Sequence, residues 1–138
     1  MYYYLLISAT IFIFIMFIYS GIDKIKNFDS KVKTIDTKLY NKFPLWLLNI
    51  SMLLIILLEI IGSLIIIARV LYINNPEISK ILKPLSNITL ILFLIFLVIV
   101  TYIYHPPDKG IIPFLSNCTT FGGIGVLGIL LNNISNIL

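Results

Sequence analysis

Four short stretches hold the residue types that could do chemistry. In LLEIIGSLIII (57–67), Glu59 is the one charge in an otherwise uncharged run from Leu45 to Ala68. SGIDKI (20–25) contributes Lys24, and YHPPDKG (104–110) contributes His105, the single histidine. SNCTT (116–120) holds Asn117 and the single cysteine, Cys118. A carboxylate, an ammonium, an imidazole and an amide suffice to move a proton or to hold a polar head group. No HExxH, CxxC or clustered carboxylates suggest a metal site. No Gly-rich loop stands between a strand and a helix to cradle a nucleotide phosphate. A lone thiol has no second cysteine to resolve it, which argues against a self-contained thiol oxidase.

The elements that must position these residues belong in lipid. Of 138 residues, 59% are apolar and 12% charged, the latter about half the usual share in soluble domains. A soluble fold of this length has too little interior to hide so much hydrocarbon. Uncharged or nearly uncharged runs cover about 2–20, 45–72, 86–104 and 110–131. Each can cross a core of about 30 Å, which takes about 20 helical residues. None alternates as a barrel strand does. The expected fold is an all-α four-transmembrane-helix bundle, a single membrane domain over 1–138. The first run lacks a basic leader, and YSG (19–21) is a poor cleavage site, so it is read as a span and not a signal peptide. Tyr19, Trp46, Tyr72, Tyr102 and Tyr104 sit where interfacial aromatics belong.

The first connection is not a plain loop. Ile25, Phe28, Val32, Ile35, Leu39 and Phe43 recur at spacings of three and four, which predicts an amphipathic helix over about 29–43. Asp29 or Ser30 could cap it. Such a helix either lies in the headgroup plane with its lysines toward anionic lipid or packs over the bundle mouth as a lid. Most of the net charge of +4 comes from this region, where six lysines and three aspartates lie between Gly21 and Pro44. One loop so charged marks a membrane side and not a nucleic-acid footprint. Counting lysines places the first and third connections in the cytoplasm and both termini outside.

An ionised carboxylate at the bilayer centre costs on the order of 3 kcal/mol, so Glu59 should face the bundle. Met52, Gly62 and Ser63 share its side of the helix, with Asn49 on the flank. It either handles protons, a quinol or another polar ligand, or it is protonated glue between helices. Asn117, Thr119 and Thr120 are candidates to donate to it or to a bound headgroup. Cys118, Gly122 and Gly125 share one face of the fourth span, where small residues let another helix approach; Gly62 is a packing candidate in the second. Two prolines fix a tight turn after His105, and Asp108 stands close enough in sequence to orient its ring.

Together SGIDKI, EIIGSLIIIAR, His105 at the end of the third span and FGGIGVLGILL resemble the DoxX family of small four-span membrane proteins, over about residues 5–131. Family members include a subunit of an archaeal thiosulfate:quinone oxidoreductase, bacterial redox-homeostasis proteins and related eukaryotic receptor chaperones. The resemblance implies a four-helix bundle with its site among the spans, and Lys24, Glu59 and His105 as its site residues. It also implies a cytoplasmic N-terminus, opposite to the lysine count. The long basic connection and the early Arg69 depart from the family pattern.

Two functional expectations arise from these residues. In the first, the chain is a redox-associated accessory subunit binding a quinone or similar amphiphile. Glu59 would exchange the proton, Lys24 would hold the head and His105 would assist, with a redox partner carrying the electrons. In the second it is a non-enzymatic assembly or structural component, meeting partner helices or further copies through the Gly122–Gly125 face. A small transporter fits least, since the chain has no internal repeat.

Overall fold

A computed structural model describes residues 2–137 other than Pro106, Pro107 and Lys109. The chain order is α1 (Tyr2–Lys26), α2 (Phe28–Lys38), α3 (Leu45–Leu57), a widened π-turn (Leu58–Gly62), α4 (Ser63–Leu71), α5 (Pro76–Tyr104) and α6 (Ile111–Ile137). Among the described residues, four stretches are long and apolar enough to cross a membrane: Tyr3–Lys26, Leu45–Leu71, Pro76–Tyr104 and Ile111–Asn133. The protein is all-α, and by length and composition its helices mark a multi-pass membrane protein. The proline turn expected after His105 and the lysine at its end lie outside the described residues.

Three boundaries differ from the sequence expectation. The first helix continues through SGIDKI to Lys26 and breaks only at Asn27, so Lys24 belongs to the first span and not to the connection. The third helix begins at Pro76, ten residues before the predicted 86. Asn75 caps it, its Oδ1 accepting from the Ile78 N–H at 3.2 Å, and Pro76 fits the first turn, where no N–H is needed. Hydropathy alone could not see this start, because Glu77, Lys80 and Lys83 occupy its opening turns.

The short helix α2 is also displaced. It starts at Phe28, so Asp29 and Ser30 lie inside its first turn and neither caps it. Asn27 holds the cap position but turns its amide back to Asp23 Oδ1, at 2.8 Å. The helix ends at Lys38, because Tyr40 and Asn41 come next in left-handed conformation with φ of 58° and 53°. Val32 is buried among Leu48, Met52 and Ile56 of α3, with Phe28, Ile35, Leu39 and Ile60 around them. Its apolar stripe therefore meets protein. Lys31 pairs with Asp23 of α1 at 2.6 Å, and the Lys38 ammonium stands 4.8 Å above the Tyr104 ring at the end of α5. Thus α2 lies across the end of the bundle where α1 and α5 finish.

A second core runs between the long helices. Phe14 and Phe17 of α1 meet Phe93 of α5 with ring centroids 5.3 and 4.7 Å apart. Ile66, Val70, Leu90, Ile124 and Leu131 complete this cluster. Helix α6 packs chiefly on α5 and lightly on α1. A Cβ on Gly128 would meet Leu90 of α5 at 3.6 Å, and one on Gly123 would meet Ile13 of α1 at 3.7 Å.

Candidate functional site

Glu59 sits in the π-turn that divides the second span, with 1% of its surface exposed. A π-turn holds one residue more than an α-turn and shifts the phase of the helix beyond it; such turns collect at functional sites. Here the widened turn lets Glu59 face α1 while Gly62, three residues on, faces α5. Both neighbours come very close. A Cβ on Gly21 of α1 would lie 2.7 Å from Ile60 Cγ1 and 3.3 Å from Glu59 Cβ. A Cβ on Gly62 would lie 2.9 Å from Thr89 Cγ2 of α5. Gly62 is the packing residue the sequence suggested; Gly21 does the same work on the other side.

Close approach at Gly21 sets Ser20 and Lys24 against the carboxylate. Side chains of a helix lean toward its N-terminus, so Lys24 reaches back along α1 into the span. Its Nζ donates to Oε1 and Oε2 of Glu59, both at 2.8 Å, and to Ser20 Oγ. The Ser20 hydroxyl in turn donates to Glu59 Oε1 at 3.2 Å. All three ammonium protons have acceptors, so the cluster closes on itself. The Glu59 side chain is 2% exposed and that of Lys24 19%, which makes the lysine the site's link to the α2 end of the bundle. Ser63, fully buried, donates to the Glu59 backbone carbonyl and supports the turn from below.

The remaining candidates stand elsewhere. Thr119 and Thr120 donate to Leu115 O and Ser116 O of their own helix, so the polar turn of α6 does not serve Glu59 as expected. Its supply comes from α1, through Ser20 and Lys24. His105 caps α5, its backbone N–H donating to Thr101 O at 3.0 Å and its ring tilted beside Tyr104. Among the described residues no hydrogen bond joins its imidazole to Asp108, Lys24 or Glu59. Asn117 and the exposed Cys118 line a cavity of about 450 Å³ between α5 and α6, walled by Leu97, Val98, Phe114 and Phe121.

The Gly122–Gly125 face of α6 is not used within this chain. A Cβ on Gly122 or Gly125 would meet nothing within 4 Å, so neither packs against this chain's own helices. Gly123, toward α1, and Gly128, toward α5, are the glycines that touch neighbouring helices. Periodicity grouped Gly122 and Gly125 rightly on one stripe but could not say which stripe turns inward.

Ser20 was missed as a site residue, although its i, i+4 relation to Lys24 was a usable signal. Arg69 is a further buried charge: fully inaccessible, with Nη2 donating to Leu131 O of α6 at 3.5 Å. Comparison with protein-family models, curated proteins and solved structures returns no match.

Proposed function

We propose that the chain is an integral membrane accessory protein of DoxX-like kind, in which the buried Lys24–Glu59 pair exchanges a proton with a quinone or similar amphiphile. One observation carries this reading: an ammonium held 2.8 Å from both oxygens of a mid-span carboxylate. Buried ion pairs are poor glue, since apolar residues of similar volume are often as stabilising or more so. A costly pair seated on a π-turn therefore argues for use. When Glu59 takes a proton it loses its hold on Lys24, whose partly exposed side chain is then free to bind a polar head. The residues here supply proton exchange and binding; electrons pass to a redox partner, because the sequence carries no electron-carrier motif. In this reading α2 shields the site from the headgroup side, and Lys33 is the lysine it has left to meet anionic lipid.

The test is quinone retention and coupled redox activity of the membrane complex, wild type beside Glu59→Gln. The amide keeps the shape and cannot take up the proton. Activity should fall at least tenfold while the protein stays folded; unchanged activity would reduce the pair to structure.

A second reading, an assembly component, is favoured by the outward-facing Gly122 and Gly125. Gly122→Leu should leave the thermal midpoint of the isolated chain within a few degrees, since no neighbour of its own is displaced. It should abolish co-purification of the partner. Retained co-purification removes this reading.

A further inference from the structure

We infer that α2 is a lid over the Lys24–Glu59 pair, which swings away on Asn27 and the Tyr40–Asn41 link to admit a polar head. Such a lid presupposes the binding role proposed above for that pair and adds how the pair is reached. With 2% of the Glu59 side chain and 19% of that of Lys24 exposed, a head group does not touch the carboxylate while α2 lies in place. A site that takes one has to open. The spans are held by their length in lipid, whereas α2, with eleven residues, is not. Ile60 ties the lid to the site. It packs against the apolar stripe of α2 and covers Gly21 beside Glu59, so raising α2 uncovers it.

The packing of α2 is thin: Val32 alone among its residues is buried, and elements with few buried contacts are those that open locally. Two contacts latch it. Lys31 meets Asp23 of α1 with 41% and 40% of their side chains exposed, and Lys38 stands over the Tyr104 ring of α5. Exposed contacts of this kind are individually weak. Both ends are able to turn. Asn27 leaves helical geometry for one residue, with φ −118° and ψ 33°, while hydrogen bonds bracket it: its N–H donates to Asp23 O, and the Lys31 N–H donates to its own carbonyl, both at 3.0 Å. A one-residue kink between intact turns is a hinge. At the other end Tyr40 and Asn41 have φ of 58° and 53°. Asparagine tolerates the left-handed region; tyrosine pays for its Cβ there, and such residues collect at switch regions. Returning both to extended geometry relieves Tyr40 and lengthens the link, since residues 39–43 can span about 16 Å at roughly 3.3 Å each. That slack lets α2 rise while α3 stays in place.

Bridging the hinge tests this. In the chain carrying Asp23→Cys, Lys31→Cys and Cys118→Ser, a short bis-methanethiosulfonate joins positions one turn either side of Asn27, and a reducing agent releases them. In nanodiscs, sulfo-N-hydroxysuccinimidyl acetate, a polar amine reagent, then acetylates Lys24, with the exposed Lys33 as internal standard, and mass spectrometry reads both. Lys24 should react about tenfold more slowly in the bridged form than after release, with Lys33 unchanged. Bridged and released forms are one protein, so each is the other's control. In the otherwise native chain Lys38→Met, which removes the latch on Tyr104, should speed Lys24 acetylation severalfold. Equal rates in the bridged and released forms overturn the lid, as does a Lys24 that is never acetylated. Adding Glu59→Gln to the bridged protein should keep Lys24 slow. Recovery of the released rate there would mean that the ion pair and not α2 protects Lys24, which also overturns the lid. No quinone and no electron transfer enter these rates, so failure of the lid leaves proton exchange to its own test.

Discussion

Replacing Lys24 with methionine is expected to destabilise the bundle by about 3–5 kcal/mol, the usual cost of removing one partner from a buried ion pair. The loss comes less from the missing attraction than from what remains. Glu59 would keep only the Ser20 hydroxyl as a donor to its side chain, in a space where 2% of that side chain meets solvent. The double substitution Lys24→Met with Glu59→Leu removes both charges and should regain most of that stability. Reversible SDS denaturation in mixed micelles reads all four corners of the cycle. A Lys24→Met loss below about 1 kcal/mol, typical of an exposed pair, would mean that water reaches the site. Recovery in the double variant would also show that stability is not why the pair is kept, which strengthens the case for proton exchange.

Gly21→Leu should be nearly as damaging for a steric reason. The first added carbon would already lie 2.7 Å from Ile60 Cγ1, in the closest crossing of α1 with the π-turn. Overpacking of this kind costs about 1–3 kcal/mol, and a whole isobutyl group here belongs at the upper end. The helices must separate, and Lys24, three residues further along α1, is drawn off Glu59 as they do. Gly21→Leu should therefore weaken the Lys24–Glu59 coupling measured in the cycle, whereas Gly122→Leu, with open space around it, should not. A Gly21→Leu protein with a wild-type denaturation midpoint and full coupling would sink this account of the crossing.

How the site could be read from the chain varies by residue. Glu59 was legible at once, because a lone carboxylate in an uncharged run has to turn inward whatever the packing. Lys24 is a site residue by the resemblance, but a first span ended at about residue 20 leaves it in the connection. Continuation of α1 to Lys26 and the backward lean of its side chain close that gap. Asn117 and Cys118 stand out in the sequence as candidates, but whether Asn117 serves Glu59 or a bound headgroup is not written there. Which helix face meets which neighbour depends on rotations of tens of degrees, and a one-dimensional pattern does not encode them.

By itself, then, the sequence determined the helices, their number and the presence of inward polar groups. These come from local terms: hydrocarbon per residue, the spacing of apolar positions and the cost of a bare charge in lipid. Tertiary structure decided the pairings. The π-turn sends Glu59 toward α1 and Gly62 toward α5, Gly21 brings the α1 backbone close enough for Ser20 and Lys24 to reach, and α2 buries its apolar stripe on α3. It also turned Gly122 and Gly125 outward and opened the α5–α6 cavity. Each of these outcomes rests on contacts between residues distant in the chain, where a shift of one position changes which surfaces meet.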